Sequence, residues 1–518
     1  LPLSWPFSWT WRLSLILAVV AGVAVYWLLD STHESDPDSD PRDAEATLDS
    51  PGLEWGDCHW DLPAGMEGQC GRLAVTGSRG STMRLSLLKL WREGQDDGPL
   101  TVHLPGGPGA AGGTDEDMGW QWGAWWLSHG MPGRLLVIDP RGTGQSLPTL
   151  HCPARPAEIS ALLAHPLDAS EEASLAREGL DRCHAWLLAQ SLDPSDFAAH
   201  WLKDDVLAVL DVMGEEGVRL LGLSHGSRIA LGLLRRSPER FAAAVLDGVF
   251  PPEVDAFLEL PETQAHAIEA FIADCGGREP CDQAAMAETV QRLRDRLGKD
   301  PALIWLAMDD QLLQPLWLTT ARLQDLIFAA QVYEEARRAL APALASAEAG
   351  NYAPLAGLLP QVIRPALDPG RHEPVYWASL CAESQPPNPA EIAGLAERHD
   401  LVDSYPKTGL EQHPCLHAFA RVDAPPMAGE AVTPTQPMLL FAGERDPVTP
   451  LSWARQLQAR LPKARLIQLF DHGHGVVFDR QCAGEAISSF LNNPADLDGL
   501  DDCQADSEAD SPANSQGA

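Results

Sequence analysis

Six short apolar runs recur along the chain, each closed by glycine, proline or a polar turn. They are "LTVHLPGGPG", "RLLVIDPRGTG", "VRLLGLSHG", "FAAAVLDGV", "PMLLFAGERD" and "ARLIQLFDHGHG". Their apolar cores do not alternate with polar positions, so each predicts a strand covered on both faces, as in a parallel sheet. Longer stretches of helical periodicity separate them, and strands alternating with helices predict α/β architecture. The rhythm breaks between Val249 and Pro437, where "AMAETVQRLRDRLG" and "TARLQDLIFAAQVYEEARRALAPAL" are helical in pattern. That stretch predicts a mainly helical cap domain inserted between two strands of a mostly parallel sheet with helices on both faces.

The ends of the chain differ from this pattern. "LSLILAVVAGVAVYWLL" (13–29) is uncharged, follows Arg12, and is flanked by Trp5, Trp9 and Trp11 on one side while ending in Tyr26 and Trp27. Its length and aromatic flanks predict a transmembrane anchor in preference to a cleaved signal segment, since no polar region with a small-x-small site follows. The acidic stretch after it and the tail after Cys503 lack large apolar residues and read as disordered. The boundaries are then 1–30 for an N-terminal membrane anchor or signal segment, 31–53 for an acidic linker and 54–250 for the first part of the core. The cap insertion takes 251–430, the second part of the core 431–503 and a disordered tail 504–518.

Charge narrows the partners. With 37 basic against 73 acidic residues and a formal charge of −36, the surface repels polyphosphates, which argues against nucleic acid. Ten cysteines without a C-x-x-C or a zinc-type cluster point to disulfides in an oxidising, extracytoplasmic compartment. Connectivity is not readable from sequence; pairing neighbours in order is the simplest scheme.

Functional groups of open parallel sheets gather at the carboxyl ends of strands, and here those ends carry reactive residues. Gly222-Leu223-Ser224-His225-Gly226 matches G-x-S-x-G, where small residues permit a turn tight enough to expose the serine hydroxyl. "LPGGPG" (104–109) supplies glycines whose backbone can approach an oxyanion, and Gly107 N–H and His225 N–H are the candidate donors. Asp446 and His474 follow two later strands, giving the order nucleophile, acid, histidine. His472 competes as the base, and Asp471 and Glu444 as the acid.

Taken together, "GGPG", "DPRGTGQS", "GLSHGSRIAL", "AGERDPVTP" and "GHG" resemble the α/β-hydrolase serine peptidases of the proline iminopeptidase and tripeptidyl aminopeptidase group, closest to the secreted tripeptidyl branch. The resemblance runs from about Trp55 to Cys503 and implies an α/β-hydrolase fold with the "GHG" histidine, His474, as base. The group's frequent "HGGPG" reads "PGGPG" here, with Pro105 in the histidine position, a change that backbone donors tolerate.

Related enzymes hold the substrate's α-ammonium with acidic residues of the cap, and Glu383 of "SLCAESQ", two residues from Cys381, is the best match. Glu334, Glu335, Asp400 and Asp403 are alternatives. "WQWGAWWL" (120–127) serves either as packing, the favoured reading, or as a pocket wall. The resulting expectation is an aminopeptidase acting through an acyl-enzyme on peptides with a free N-terminus, releasing short N-terminal peptides or single residues, proline among them. It requires no metal or organic cofactor. An esterase or lipase-like hydrolase on the same scaffold is the alternative, and a non-catalytic binding protein is disfavoured because no triad member is missing.

Overall fold

The structure, a computed structural model, describes residues 52–503 apart from 78–79, 278–279, 309–312, 368–371, 385–411, 420–430, 479 and 501–502. Its strands are β1 (Leu53–Gly56), β2 (Met66–Thr76), β3 (Thr82–Arg92), β4 (Leu100–Leu104), β5 (Arg134–Asp139), β6 (Val218–Leu223) and β7 (Phe241–Asp247). After these come β8 (Ala302–Ala307), β9 (Leu313–Leu318), β10 (Met438–Gly443) and β11 (Ala464–Leu469). Nine of them form one sheet in the order β1-β2-β3-β5-β4-β6-β7-β10-β11. The β1–β2–β3 meander joins β5 in antiparallel fashion. From β5 to β11 every neighbouring pair is parallel. The six apolar runs are these six parallel strands.

Alternate residues of each strand feed two cores. Leu136 and Ile138 of β5 and Leu440 of β10 face one side, with Val206 and Val209 of α4 (His200–Met213) and Ile229 of α5 (His225–Arg236). Leu135, Val137 and Phe441 face the other, with Trp122 and Trp126 of α1 (Glu116–Ser128) and Phe490 of α13 (Gln481–Asn492). A strand buried on both faces has no solvent side to make polar, which is why the runs do not alternate. Trp122 and Trp126 of the tryptophan-rich stretch accordingly pack in the core, while Trp120 is exposed. Trp122 Nε1 donates to Gly112 O at 3.0 Å and Trp126 Nε1 to Gly133 O at 3.3 Å.

Helices α2 (Arg155–Leu163) and α3 (Ala169–Ala189) lie between β5 and α4. Between β7 and β10 the chain builds the cap-like region: α6 (Ala256–Asp274), α7 (Gln283–Leu297), the β8–β9 hairpin, α8 (Thr320–Ala330), α9 (Glu334–Glu348), α10 (Ala353–Leu367) and α11 (Glu373–Glu383). It has its own core of Ile268, Leu293, Ile304, Leu316, Leu326 and Leu344. The hairpin was not expected. In β8, Ile304 and Leu306 are buried while Leu303 and Trp305 are exposed, so a strand apolar on both faces hid its period of two. The predicted long helical run from Thr320 is two helices, α8 and α9. After β10, α12 (Leu451–Arg460) returns to the sheet.

Five disulfides pair the cysteines in sequence order: 58–70, 152–183, 275–281, 381–415 and 482–503. The transmembrane expectation is corrected: among the described residues no helix is long and apolar enough to cross a membrane. Even the 21-residue α3 carries Glu171, Glu172, Arg177 and Arg182, because it buries only one face. The stretch 13–29 that prompted the expectation, most of the acidic linker and the tail lie outside the described residues.

One buried ion pair carries a stability prediction. Arg141 Nε and Nη2 donate to Asp205 Oδ2 and Oδ1 at 2.7 and 2.6 Å, and the guanidinium lies 4.5 Å from the Trp201 ring centre. Both side chains are almost fully buried, so removing one partner strands a charge. Asp205→Ala is expected to cost about 3–5 kcal/mol, read as a lower denaturation midpoint in urea; a loss under about 1 kcal/mol means that water reaches Arg141.

Candidate active site

The turn after β6 sets the geometry. Ser224 holds φ 52° and ψ −119°, a left-handed conformation for a residue with a side chain. A Cβ on Gly222 would lie 2.7 Å from Gly226 O, and one on Gly226 only 2.0 Å from Leu104 O. Only glycine fits at both places, which is the steric content of G-x-S-x-G. Helix α5 begins at the next residue, so its N-terminal end, with its partial positive charge, faces the serine.

His474 Nε2 lies 2.9 Å from Ser224 Oγ, and His474 Nδ1 lies 2.8 Å from Asp446 Oδ2. With the ring proton on Nδ1, Asp446 accepts it and Nε2 is left to accept the serine hydroxyl. Asp446 is fixed in turn. Its Oδ1 accepts from Val448 N and Thr449 N at 2.8 Å each, and its Oδ2 from Thr449 Oγ1 at 2.7 Å. Burial opposes charge on the His474 ring, but the carboxylates of Asp446 and Asp247 outweigh it and raise its pKa above the ordinary imidazole value. This chain can accept a proton from Ser224 and stabilise the resulting imidazolium.

The competing acids Asp471, Glu444 and Glu334 are engaged elsewhere. Asp471 pairs with Arg337 at 2.9 Å, Arg445 at 2.6 Å and also Arg338, and not with His474. Glu444 accepts from Asp471 N, and the His472 carbonyl accepts from Arg445 N. Glu334 pairs with Arg338 and Arg480. Asp400 and Asp403 lie outside the described residues.

The glycine loop after β4 closes over the serine. A Cβ on Gly106 would stand 3.2 Å from Ser224 Cβ, and Gly107 follows with φ 103°. Beside it is a cavity whose lining includes Pro108, Ala110, Arg141, Phe197, Trp201 and Val375; among the described residues no carboxylate lines it.

Glu383, the last residue of α11, reaches this region in an unexpected manner. It is 1% exposed. Its Oε1 lies 2.8 Å from His225 Nε2 and its Oε2 3.3 Å from Arg228 Nε. Burial works against its charge, but His225 and Arg228 prevail and hold its pKa below the usual glutamate value. Glu383 therefore ties the cap helix to the residue after Ser224 instead of presenting a free carboxylate. The Cys381–Cys415 disulfide fixes the same helix end.

Two contributors escaped sequence reasoning. Thr449 touches both Asp446 and His474, its Oγ1 lying 3.1 Å from Nδ1. Asp247 ends β7, and an acid closing an unbroken apolar strand was the signal available for it.

A nine-stranded, mainly parallel sheet with a nucleophile-type turn after β6 and a cap inserted after β7 is the α/β-hydrolase fold. Residues 133–277 match the family described as alpha/beta hydrolase fold, and residues 407–499 the family described as TAP-like protein. The chain is 28% identical over 287 residues to the serine protease Hip1 of Mycobacterium tuberculosis, covering 49% of this chain and 52% of that one. It is 27% identical over 222 residues to the tripeptidyl aminopeptidase of Streptomyces lividans, covering 39% of each. The chain thus spans about half the length, or less, of these relatives. It is an α/β-hydrolase-fold protein related at modest identity to bacterial serine-hydrolase and peptidase family members.

Proposed function

We propose that this protein is a serine aminopeptidase that releases short N-terminal peptides or single residues through an acyl-enzyme. The observation that carries the reading is the unbroken chain Ser224 Oγ, His474, Asp446, at 2.9 and 2.8 Å, on a strained turn. Ser224 attacks the scissile carbonyl while His474 Nε2 takes its proton. Gly107 N–H and His225 N–H stabilise the oxyanion. His474 then returns the proton to the leaving amine, and water, deprotonated by the same ring, releases the acyl group and restores the serine. The choice of peptides rests on the names of its relatives, a serine protease and a tripeptidyl aminopeptidase. Five disulfides support an extracytoplasmic location.

One observation favours a second reading, a carboxylic-ester hydrolase. An aminopeptidase needs an anion for the substrate's ammonium, whereas Glu383 is buried and already paired and, among the described residues, the cavity beside the glycine loop is lined by no acid. The two readings separate on one comparison: a tripeptide amide with a free amine against its N-acetylated twin, with a short p-nitrophenyl ester alongside. Selective cleavage of the free-amine peptide is expected. Turnover of the ester with both peptides untouched would replace the peptidase by the esterase.

A further inference from the structure

Asp247 belongs to none of the steps above, yet it touches both halves of the site. It is 2% exposed, at the carboxyl end of β7. Its main-chain oxygen accepts from Ser224 N at 2.7 Å, holding the strained serine turn. Its side-chain Oδ2 accepts from Val476 N at 2.7 Å and Val477 N at 3.0 Å, the amides two and three residues beyond His474. Gly248 completes the seat. It has φ +63°, and a Cβ there would stand 3.0 Å from His474 Cε1. The imidazole therefore rests against backbone that Asp247 anchors. Oδ1 has no hydrogen-bond partner among the described residues.

We propose that Asp247 is a positioning residue for the reaction: through its main-chain oxygen and one carboxylate oxygen it sets the separation between Ser224 and His474. The inference rests on the reading that these two side chains react together. Serine and histidine are 250 positions apart in sequence, and no covalent link joins their loops. Asp247 accepts hydrogen bonds from both loops and so connects them mechanically. Attack requires near-contact alignment, and a displacement of about 1 Å costs on the order of 10²-fold in rate. Burying a carboxylate for structure alone is costly, because desolvation pushes its pKa up to about 6 against the two amides it accepts. The titratable groups facing it are His474 and Asp446.

The test compares Asp247→Ala with Asp247→Asn in the full chain. The substrate is a p-nitrophenyl ester, so the outcome does not depend on peptide specificity. Rates are expressed per active site titrated with a fluorophosphonate, which removes any misfolded fraction. Asparagine keeps an oxygen that accepts both amides; alanine removes it. Asp247→Ala is expected to lower kcat about 10²-fold per titrated site, with KM within about twofold. Asp247→Asn is expected to keep kcat within about threefold at alkaline pH. Its acid limb should move to lower pH, because an anion favouring the imidazolium has gone. Should the alanine variant not fold, Asp247→Ser, whose hydroxyl is too short to span both amides, is read in its place and is expected to lose about as much. The proposal is overturned if the alanine or serine variant retains wild-type kcat per titrated site, or if asparagine is as impaired as alanine. Failure of the underlying reading looks different: a Ser224→Ala control would then still turn over the ester.

Discussion

Ser224→Ala is expected to lower ester or peptide turnover by about 10⁴- to 10⁶-fold while leaving the protein folded. The size follows from losing the covalent route altogether. Without the hydroxyl, only the proposed oxyanion donors and substrate binding remain to assist water. The fold should survive because alanine has the same Cβ as serine, so the turn at φ 52° is no more strained than before. The hydrogen bonds of the turn are also main-chain bonds, Ser224 N to Asp247 O and Ser227 N to Ser224 O. Purified variant and wild type should melt within a few degrees of each other, and labelling by fluorophosphonate should vanish in the variant. Residual turnover above about 1% of wild type would place the nucleophile elsewhere.

Asp446→Asn should cost about 10⁴-fold in kcat. The reasoning turns on which way the amide faces. Val448 N and Thr449 N both donate to Oδ1, so the asparagine oxygen will stay there and its NH₂ will take the Oδ2 position opposite His474 Nδ1. That nitrogen must then accept, which places the ring proton on Nε2, facing Ser224. A histidine in that tautomer cannot take the serine proton. The same substitution removes the main anion holding the His474 pKa up. In wild type, activity is expected to be lost as pH falls through a His474 pKa above the ordinary imidazole value. In Asp446→Asn what activity remains should be lost at lower pH. A variant with wild-type kcat and an unmoved acid limb would exclude Asp446 as the orienting acid.

The sheet was legible because of what buries it. Strands covered on both faces have nothing to alternate, and β4, β5, β6, β7, β10 and β11 stood out as continuous apolar runs ending in turn residues. Ser224, Asp446 and His474 were visible for a related reason: each follows such a run, at the end of the sheet where loops converge. The cap was less readable. The β8–β9 hairpin carries apolar residues on both faces, with Trp305 and Leu313 exposed, and lacks the alternation that marks a half-buried strand. Glu383 drew attention as an acid near the site, but no periodicity shows that His225 and Arg228 would be waiting for its carboxylate. Asp247 was hidden by its main-chain role, since one of its two functions uses an atom that every residue possesses.

The disulfides hold a last consequence, for how the chain reaches this structure at all. Ten cysteines can pair in on the order of 900 ways, and the protein uses the one in which each cysteine takes its next neighbour. Every loop is finished before the next begins, the longest spanning 34 positions. A polypeptide emerging N-terminus first therefore meets its cysteines in matched couples. An oxidant that joins thiols in order of arrival would therefore produce this pairing directly, leaving no wrong bond to be shuffled.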